Sequence, residues 1–319
     1  MSGQISIGQL QINSRFTFLS MLNCNIHSKY GKHTKAEIIG TVKSSEAIAV
    51  LSNVSEDKVE IISRNDNGAE DMLFIGVIEY VEIKQEGQYA LLTVKAVSYT
   101  WKMDIEKKSR SFQDLTMTYK DIAEQVLGEY GVVMSWNLSD KLMEYPLIQY
   151  KETDFCFLKR ILSHLKGSIS VSDTQEKENL CAGLRAGSFL GEIDLKGKNY
   201  SVVPFRENRL LGYKIENMNF ARVGDVLSIH GHTYYVMEVE AVCQRNILNC
   251  TCFVFPSKCF EVERMSADTL RGTVIIGKVL KAEQEMLKLH LEIDEELIDG
   301  TAYRFPWKPI TGNLLYCMP

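Results

Sequence analysis

The chain has 319 residues, 45% hydrophobic and 24% charged, with a formal net charge of −5 at pH 7. That is room for two or three domains of ordinary globular composition, and the acidic balance speaks against a nucleic-acid binder. No run approaches the ~18 apolar residues of a bilayer-spanning helix, and the opening MSGQISIGQLQINS lacks the basic and apolar regions of a secretory signal, so synthesis in a cytoplasm is expected.

Residues 1–15 are polar and read as a loose arm or an edge strand. From Arg15 to Ser98 the signals are almost all β. Phe16–Leu22, Ala36–Val42, Ala47–Leu51, Lys58–Ser63, Leu73–Ile83 and Gln88–Ser98 are short runs rich in Val, Ile, Phe, Tyr and Thr. Turn clusters separate them. Six strands at this spacing predict a barrel or sandwich. The last two form a hairpin, and apolar residues on both faces of Gln88–Ser98 imply a sheet covered on both sides.

Trp101 to Ser109 is charged and reads as a link between units. Thr118 with Asp121 three positions on is close to a capping box. Ile122, Ala123, Val126, Leu127 and Tyr130 then form one helical stripe, which Gly131 ends, and Val132–Trp136 reads as a strand. Tyr145 to Asp173 is the most locally determined stretch. Glu152, Thr153 and Asp154 open a helix with Thr153 as N-cap, and Asp154 sits at the positive end of the helix dipole. Phe155, Leu158, Ile161, Leu162 and Leu165 share one face. Gly167 is expected to close this helix in a left-handed conformation, and Ser168–Ser172 reads as a strand.

Residues 168–258 return to β, with strands at Tyr200–Pro204, Leu211–Asn217, Asp225–His230, Thr233–Ala241 and Asn249–Phe255. His230-Gly231-His232 marks a tight turn. Residues 259–271 read as a linker or short helix with Ser266 as a candidate cap. Gly272–Leu280 and Met286–Asp294 form a hairpin, with Val274, Ile276 and Val279 against Leu287, Leu289, Leu291 and Ile293. Phe305-Pro306-Trp307 follows, and the chain stops on apolar Leu314–Pro319. An unpaired apolar edge is a liability, so this last domain is expected to be cut short or completed by another chain.

The groups that carry chemistry read blandly. The eight cysteines make no C-x-x-C pair and read as buried reduced thiols, with Cys250 and Cys252 on one strand face. Cys156 and His164 lie two helical turns apart, too far for a nucleophile–base contact. His230 and His232 fall at a turn tip. Asp294-Glu295-Glu296 reads as a solvated loop, and Lys102, Lys107, Lys108 and Arg110 as a solvated face interrupted by Asp104 and Glu106. No phosphate-loop, dinucleotide, zinc-protease or nucleophile-elbow motif is present. The residues themselves therefore predict no catalytic, cofactor or metal site.

Gln149-x-x-Glu152-Thr153-Asp154-Phe155-x-Phe157-Leu158-x-Arg160 resembles the Q-x-x-E-[ST]-D-[WF]-x-F-[LI]-x-R-L motif of the late-control-D/VgrG family, the hub and spike proteins of contractile phage tails, tailocins and type VI secretion, with Ile161 in place of the final leucine. Four other stretches resemble the family in the right order. Asn23–Gly40 resembles its strand–turn–strand with a histidine in the turn, and Phe74-Ile75-Gly76-Val77-Ile78 its F-x-G-x-[IV] strand. Arg110-Ser111-Phe112-Gln113 through Thr118-Tyr119-x-Asp121-Ile122 resembles the segment that opens its first insert helix. Gly272 onward, with Phe305-Pro306-Trp307 and Tyr316–Pro319, looks like the start of an oligonucleotide/oligosaccharide-binding (OB) domain.

The resemblance implies a mainly β fold with an α/β insert: a first hub barrel over 1–105, the insert over 106–168, a second hub barrel over 169–262, and a linker with an incomplete OB-like domain over 263–319. It implies a structural protein rather than an enzyme, without cofactor: a homotrimer that adapts a six-fold tail tube to a three-fold membrane-puncturing spike. Tube protein would bind one face, spike or needle the other, with baseplate wedge proteins as further partners, and with neither nucleic acid nor an integral membrane segment. Assembly in a bacterial cytoplasm into a phage-like particle or injection apparatus follows. The motif residues Gln149, Glu152, Thr153, Asp154, Phe155, Phe157, Leu158, Arg160, Arg110, Phe112, Gln113, Thr118 and Tyr119 would be structural. The alternatives are a tail-associated cell-wall hydrolase, or a glycan-binding module using Tyr303 and Trp307.

Overall fold

In the computed structural model, residues 5–44, 57–65, 67–175, 180–205, 210–295 and 300–308 are described. The expected strand Ala47–Leu51, and Glu296, Cys317 and the apolar end Leu314–Pro319, lie outside them.

The first β unit is made of β1 (Ile5–Ser6), β2 (Leu10–Asn13), β3 (Ser20–Lys29), β4 (Lys35–Lys43), β5 (Lys58–Arg64), β6 (Glu70–Glu86) and β7 (Tyr89–Val97). The insert contributes β8 (Lys107–Phe112), α1 (Tyr119–Gly128), β9 (Met134–Trp136), β10 (Leu147–Thr153), α2 (Asp154–Ser163), β11 (Ile169–Val171) and β12 (Leu180–Ala182). A second β unit follows with β13 (Phe189–Glu192), β14 (Tyr200–Pro204), β15 (Leu211–Met218), β16 (Val226–Ile229), β17 (His232–Gln244) and β18 (Ile247–Phe255). The chain ends in an antiparallel meander of β19 (Gly277–Glu283), β20 (Met286–Leu291) and β21 (Arg304–Pro306). The protein is mainly β, as expected.

One sheet runs through both β units in the order β14-β15-β18-β17-β3-β4-β7-β6-β5-β2. The N-terminal residues, expected as a loose arm or edge strand, close the first unit instead. Leu10–Asn13 pairs with β5, while Ile5 and Ser6 pair with Leu248 and Ile247 of β18, so the ladder returns to its start. Closure removes the exposed edge that a polar arm would have left. Ile5, Ile7, Leu10 and Ile12 supply the apolar side of this segment and pack on the first core with Cys24, Ile38, Ile61, Leu92 and Val94.

The hairpin β17–β18 belongs to both units. Its turn end, through Ala241 and Leu248, lies in the first core. Its open end, through Val236, Val239, Cys250, Cys252 and Val254, lies in the second with Ile215, Leu227 and Ile229. Alternation from Ile247 to Val254 of β18 makes this sharing possible, because every second side chain over that length faces inward. Cys250 and Cys252 do share a face, their sulfurs 3.8 Å apart and buried. Gly76 of the F-x-G-x-[IV] strand is required sterically, since a Cβ there would stand 2.2 Å from the Val97 carbonyl oxygen of the neighbouring strand.

The insert has a separate core. Ile122, Ala123, Val126 and Leu127 of α1 meet Phe155, Leu158, Ile161 and Leu162 of α2, and β9, β11 and β12 cover them with Met134, Ile169, Val171, Leu180 and Ala182. Both N-caps form as the sequence predicts: Thr118 and Asp121 make a reciprocal capping box, and the Thr153 hydroxyl accepts from the Cys156 amide. The C-termini differ from each other. Gly131, at φ 62°, ends α1 as expected. At α2 the left-handed residue is Lys166 at φ 60°, not Gly167. The Gly167 amide donates to the Leu162 carbonyl and the Lys166 amide to Ser163, the bond pair of a Schellman cap. Gly167 is needed for space instead, because a Cβ would meet the Leu138 side chain at 2.6 Å.

The stretch 259–271 holds 3-10 turns at Ser257–Phe260 and Asp268–Leu270, and Ser266 caps neither: its hydroxyl donates to the Asp268 carboxylate. In the terminal meander Leu287 and Leu291 are buried, but Val274, Ile276 and Val279 are exposed rather than packed against them.

Candidate functional site

The thirteen motif residues converge on the insert and on its borders. β8 and β10 pair antiparallel, with Arg110 opposite Gln149 and Lys108 opposite Glu152. A bulge separates those two pairs, with Lys151 at φ 48°. The bulge lets the chain turn from β10 directly into α2, so that Asp154, the first helical residue, points under β8.

Asp154 is fully buried and accepts four hydrogen bonds. The donors are Lys108 Nζ (2.8 Å), Arg110 Nη2 (2.5 Å), Tyr130 Oη (2.6 Å) and Gln149 Nε2 (2.8 Å). Four donors saturate the lone-pair sites of a carboxylate. Burial alone would raise its pKa, but the Lys108, Tyr130 and Gln149 hydrogen bonds and the Arg110 charge outweigh it and hold the group below its ordinary range. Burial, with the bond to this carboxylate, pushes the Tyr130 phenol up to about 12. Gln149 is fixed at both ends, its amide donating also to the Glu152 carbonyl and its oxygen accepting from Arg110 Nε. Glu129 closes the cluster by pairing with Lys108 and Arg110. Lys108 and Arg110 are therefore not the solvated face expected of them. They alternate on one strand face, and that face is turned inward.

A second pair flanks this knot. Arg160, nearly buried, donates to both Glu152 oxygens and to the Ile148 carbonyl, while its guanidinium lies over the Phe157 ring. Phe157 stacks on Phe112 with ring centres 5.4 Å apart. Tyr119 and Leu158 are core, and the Tyr119 hydroxyl meets His164 Nδ1 at 3.1 Å. Burial lowers the His164 pKa to about 4, with the Arg264 charge next in effect. Cys156 has its own neighbour, the Asp104 carboxylate at 3.7 Å. The two make no dyad, as their spacing predicts. Cys156 is nevertheless exposed, unlike the buried thiol expected.

The knot also holds its neighbours. Toward the first β unit, the His33 ring of the histidine-bearing turn packs on Phe155 at 3.9 Å and bonds to Thr100 Oγ1 (2.7 Å) and Asp104 Oδ2 (3.3 Å). The Thr153 hydroxyl donates to the same Asp104. Toward the terminal meander, Asp294 accepts from the Ser111 amide (2.5 Å) and hydroxyl (2.6 Å). Gln113 donates to the Leu289 carbonyl and accepts from the Tyr303 amide. Asp294, expected in a solvated loop, is instead a half-buried anchor, and Tyr303 is half-buried against Phe305. A third junction centres on Asp173, which accepts from Ser28 and Thr34 hydroxyls while its carbonyl accepts from the Ile75 amide.

Sequence reasoning missed Asp104, Lys108, Tyr130, Asp173 and Asp294 as organising residues. Only Lys108 left a trace, in its two-residue spacing from Arg110. His230 and His232 sit at a two-residue turn with His230 and Gly231 both at positive φ; the Glu192 carboxylate accepts from the Gly231 amide there (3.4 Å), and among the described residues no group of three metal-ligating side chains includes either histidine.

Residues 39–181 match the family model of the phage tail baseplate hub (GPD). The fold is similar to an Escherichia coli component of the type VI secretion system described as resembling the T4 bacteriophage tail proteins gp27 and gp5. That likeness has a TM-score of 0.65 at 14% identity, over 94% of this chain and 91% of that one. It is also similar to a 43 kDa prophage tail protein from Shewanella oneidensis, at TM-score 0.62 and 8% identity, over 81% and 99%. A Francisella PdpA–VgrG complex matches at TM-score 0.55 and 7% identity, over 97% and 73%. No curated protein matches the sequence.

Proposed function

We propose that this chain, a hub of the GPD/VgrG type by its matched region and its fold, is a ring subunit of a contractile injection apparatus. Three copies close a collar that mates a six-fold tail tube to a three-fold spike. The observation that carries the reading is the shared hairpin β17–β18, which fuses two β units into one hydrogen-bonded body. Three such bodies around one axis present six β units to a tube on one face. The three meanders gather at the other, where a spike starts. Closed cyclic contacts between identical chains complete the ring.

In this reading the chain turns over no substrate, and the motif residues are structural. Arg110, Gln149 and Asp154 hold the insert together, Phe155 and Thr153 dock it on the first β unit, and Gln113 docks the meander. The divisions expected at 1–105, 106–168, 169–262 and 263–319 are part of the same proposal, with the end of the insert moved from 168 to Ala182 because β11 and β12 lie in its core. Wedge proteins would bind the periphery, and assembly would take place in a bacterial cytoplasm before incorporation into the particle. Force passes through backbone ladders and packed cores, which deform little. Light scattering should give three times the 36.3 kDa chain mass, and electron microscopy of that species should show a ring. A strict monomer over the whole soluble concentration range overturns the proposal.

A further inference from the structure

The outer face of the seam between the two β units carries a cluster that neither the fold nor the hub reading explains. In the β3–β17 ladder, His27 stands directly opposite Glu240 and Lys29 opposite Glu238. Alternation puts all four side chains on one face, since their neighbours Ile26 and Ala241 point into the first core. His27 Nε2 lies 2.8 Å from Glu238 Oε1, and Lys29 Nζ holds the other oxygen, Oε2. Glu240 makes no hydrogen bond or ion pair among the described residues. One donor atom from each of His27, Glu238 and Glu240 lies within 4.8 Å of the others.

We propose that His27, Glu238 and Glu240 bind a divalent transition ion of the zinc class, which staples the first β unit to the second. A zinc ion takes imidazole nitrogen at about 2.0–2.1 Å and carboxylate oxygen at about 2.0–2.2 Å, so two donors on one ion stand no more than about 4.3 Å apart. The three donor atoms lie within 4.8 Å of one another, so binding an ion requires the 2.8 Å His27–Glu238 hydrogen bond to open and the side chains to turn onto the ion. Two carboxylates and one imidazole suit zinc, whereas the nitrogen donor disfavours magnesium and calcium. The half-exposed His27 leaves the fourth position to water. Lys29 takes the usual place of a group behind a ligating carboxylate: it fixes Oε2 and aims Oε1 at the ion. The ion also compensates Glu240, the one carboxylate of the pair with no cation of its own.

The test uses the untagged full chain in a Cys156→Ser background, because the exposed Cys156 thiol would compete for zinc. Titration calorimetry with zinc chloride should give one site per chain, and the thermal midpoint should climb with zinc concentration. Cobalt(II) should develop the visible absorption of a low-coordinate site. His27→Ala and Glu240→Gln should each weaken binding by about tenfold or more. Glu240→Gln is the stricter variant, since Glu240 has no protein partner to lose and its midpoint without metal should not move. No saturable site, or a zinc affinity unchanged in both variants, overturns the proposal.

Discussion

Two buried aspartates sit at two junctions of this molecule, and the protein treats them in opposite ways. Asp154, inside the insert, is ringed by Lys108, Arg110, Tyr130 and Gln149 and is held below the ordinary carboxylate range against its burial. Asp173, where the insert meets both β units, has two hydroxyl donors, Ser28 and Thr34. There burial wins and its pKa is raised, although the Ser28 bond and the Arg222 and Arg185 charges act against that. The first is held as a counter-charge to Lys108 and Arg110, and in the second burial shifts the balance toward the protonated form. What separates them is supply: in a low-dielectric site a carboxylate stays ionised only when charged donors touch it.

The largest effect expected from this contrast is on Asp154→Asn. It leaves Glu129 as the one carboxylate paired with Lys108 and Arg110 among the described residues, and should cost about 3 kcal/mol, the lower end for breaking a buried ion pair. Asp173→Asn should cost well under half of that in urea melts, because it breaks no direct ion pair and its side-chain partners are two hydroxyls, Ser28 and Thr34. The pH dependence sharpens the test. The folded Asp154 carboxyl lies below its ordinary 3.8, so its contribution is complete above that pH and is lost as pH falls through the folded value. Asp173 has the opposite sign. Its folded value lies above 3.8, so stability from its proton is present at low pH and is lost as pH rises through the folded value. The stability of Asp173→Asn relative to the unsubstituted chain should therefore improve with rising pH, and that of Asp154→Asn should worsen. Parallel profiles for the two variants would collapse the distinction.

The contrast also marks what could be read from the sequence. Asp154 was legible, because its position at N1 of a capped amphipathic helix is a local fact, and its motif spacing resembles that of a known family. Its partners were not. Lys108 and Arg110 look like a solvated strand until β10 pairs with β8 and turns that face inward, a contact about forty residues away along the chain. Asp173 left no mark at all, since a short polar residue after a strand is the usual sign of a turn. Closure of the first β unit was hidden for the same reason. Ile5, Ile7, Leu10 and Ile12 are spread through polar neighbours, and only β5 and β18, far along the chain, make them a strand.

Ser111→Ala asks how far the Asp154 knot reaches. Ser111 follows Arg110 on β8, and its hydroxyl donates to Asp294 of the meander. Loss of this bond to a charged acceptor, together with the bond the same hydroxyl accepts from Gln113 Nε2, should cost about 2 kcal/mol. The loss should be local: hydrogen exchange should speed up in β20 and β21 while α1 and α2 keep their protection. Equal loss in the insert would mean that the meander and the knot unfold as one unit.

The smallest effect should have the opposite sign, and it compares the two helix ends rather than the two aspartates. Gly131 and Lys166 occupy the same left-handed position at φ 62° and 60°, one with the residue that conformation suits and one without. A non-glycine residue there is strained by about 1–2 kcal/mol, and glycine gives back about 0.5–1 kcal/mol through the entropy of the unfolded chain. Lys166 is exposed, and its backbone carbonyl, which accepts from the Val262 amide, is kept by any substitution. Lys166→Gly should therefore stabilise the protein by roughly 0.5–1 kcal/mol in chemical denaturation. Lys166→Ala, which keeps a Cβ in the same backbone conformation, should give no such gain. If both substitutions act alike, the strain at the end of α2 is relieved by something other than the choice of residue, and the two helix ends are equivalent after all.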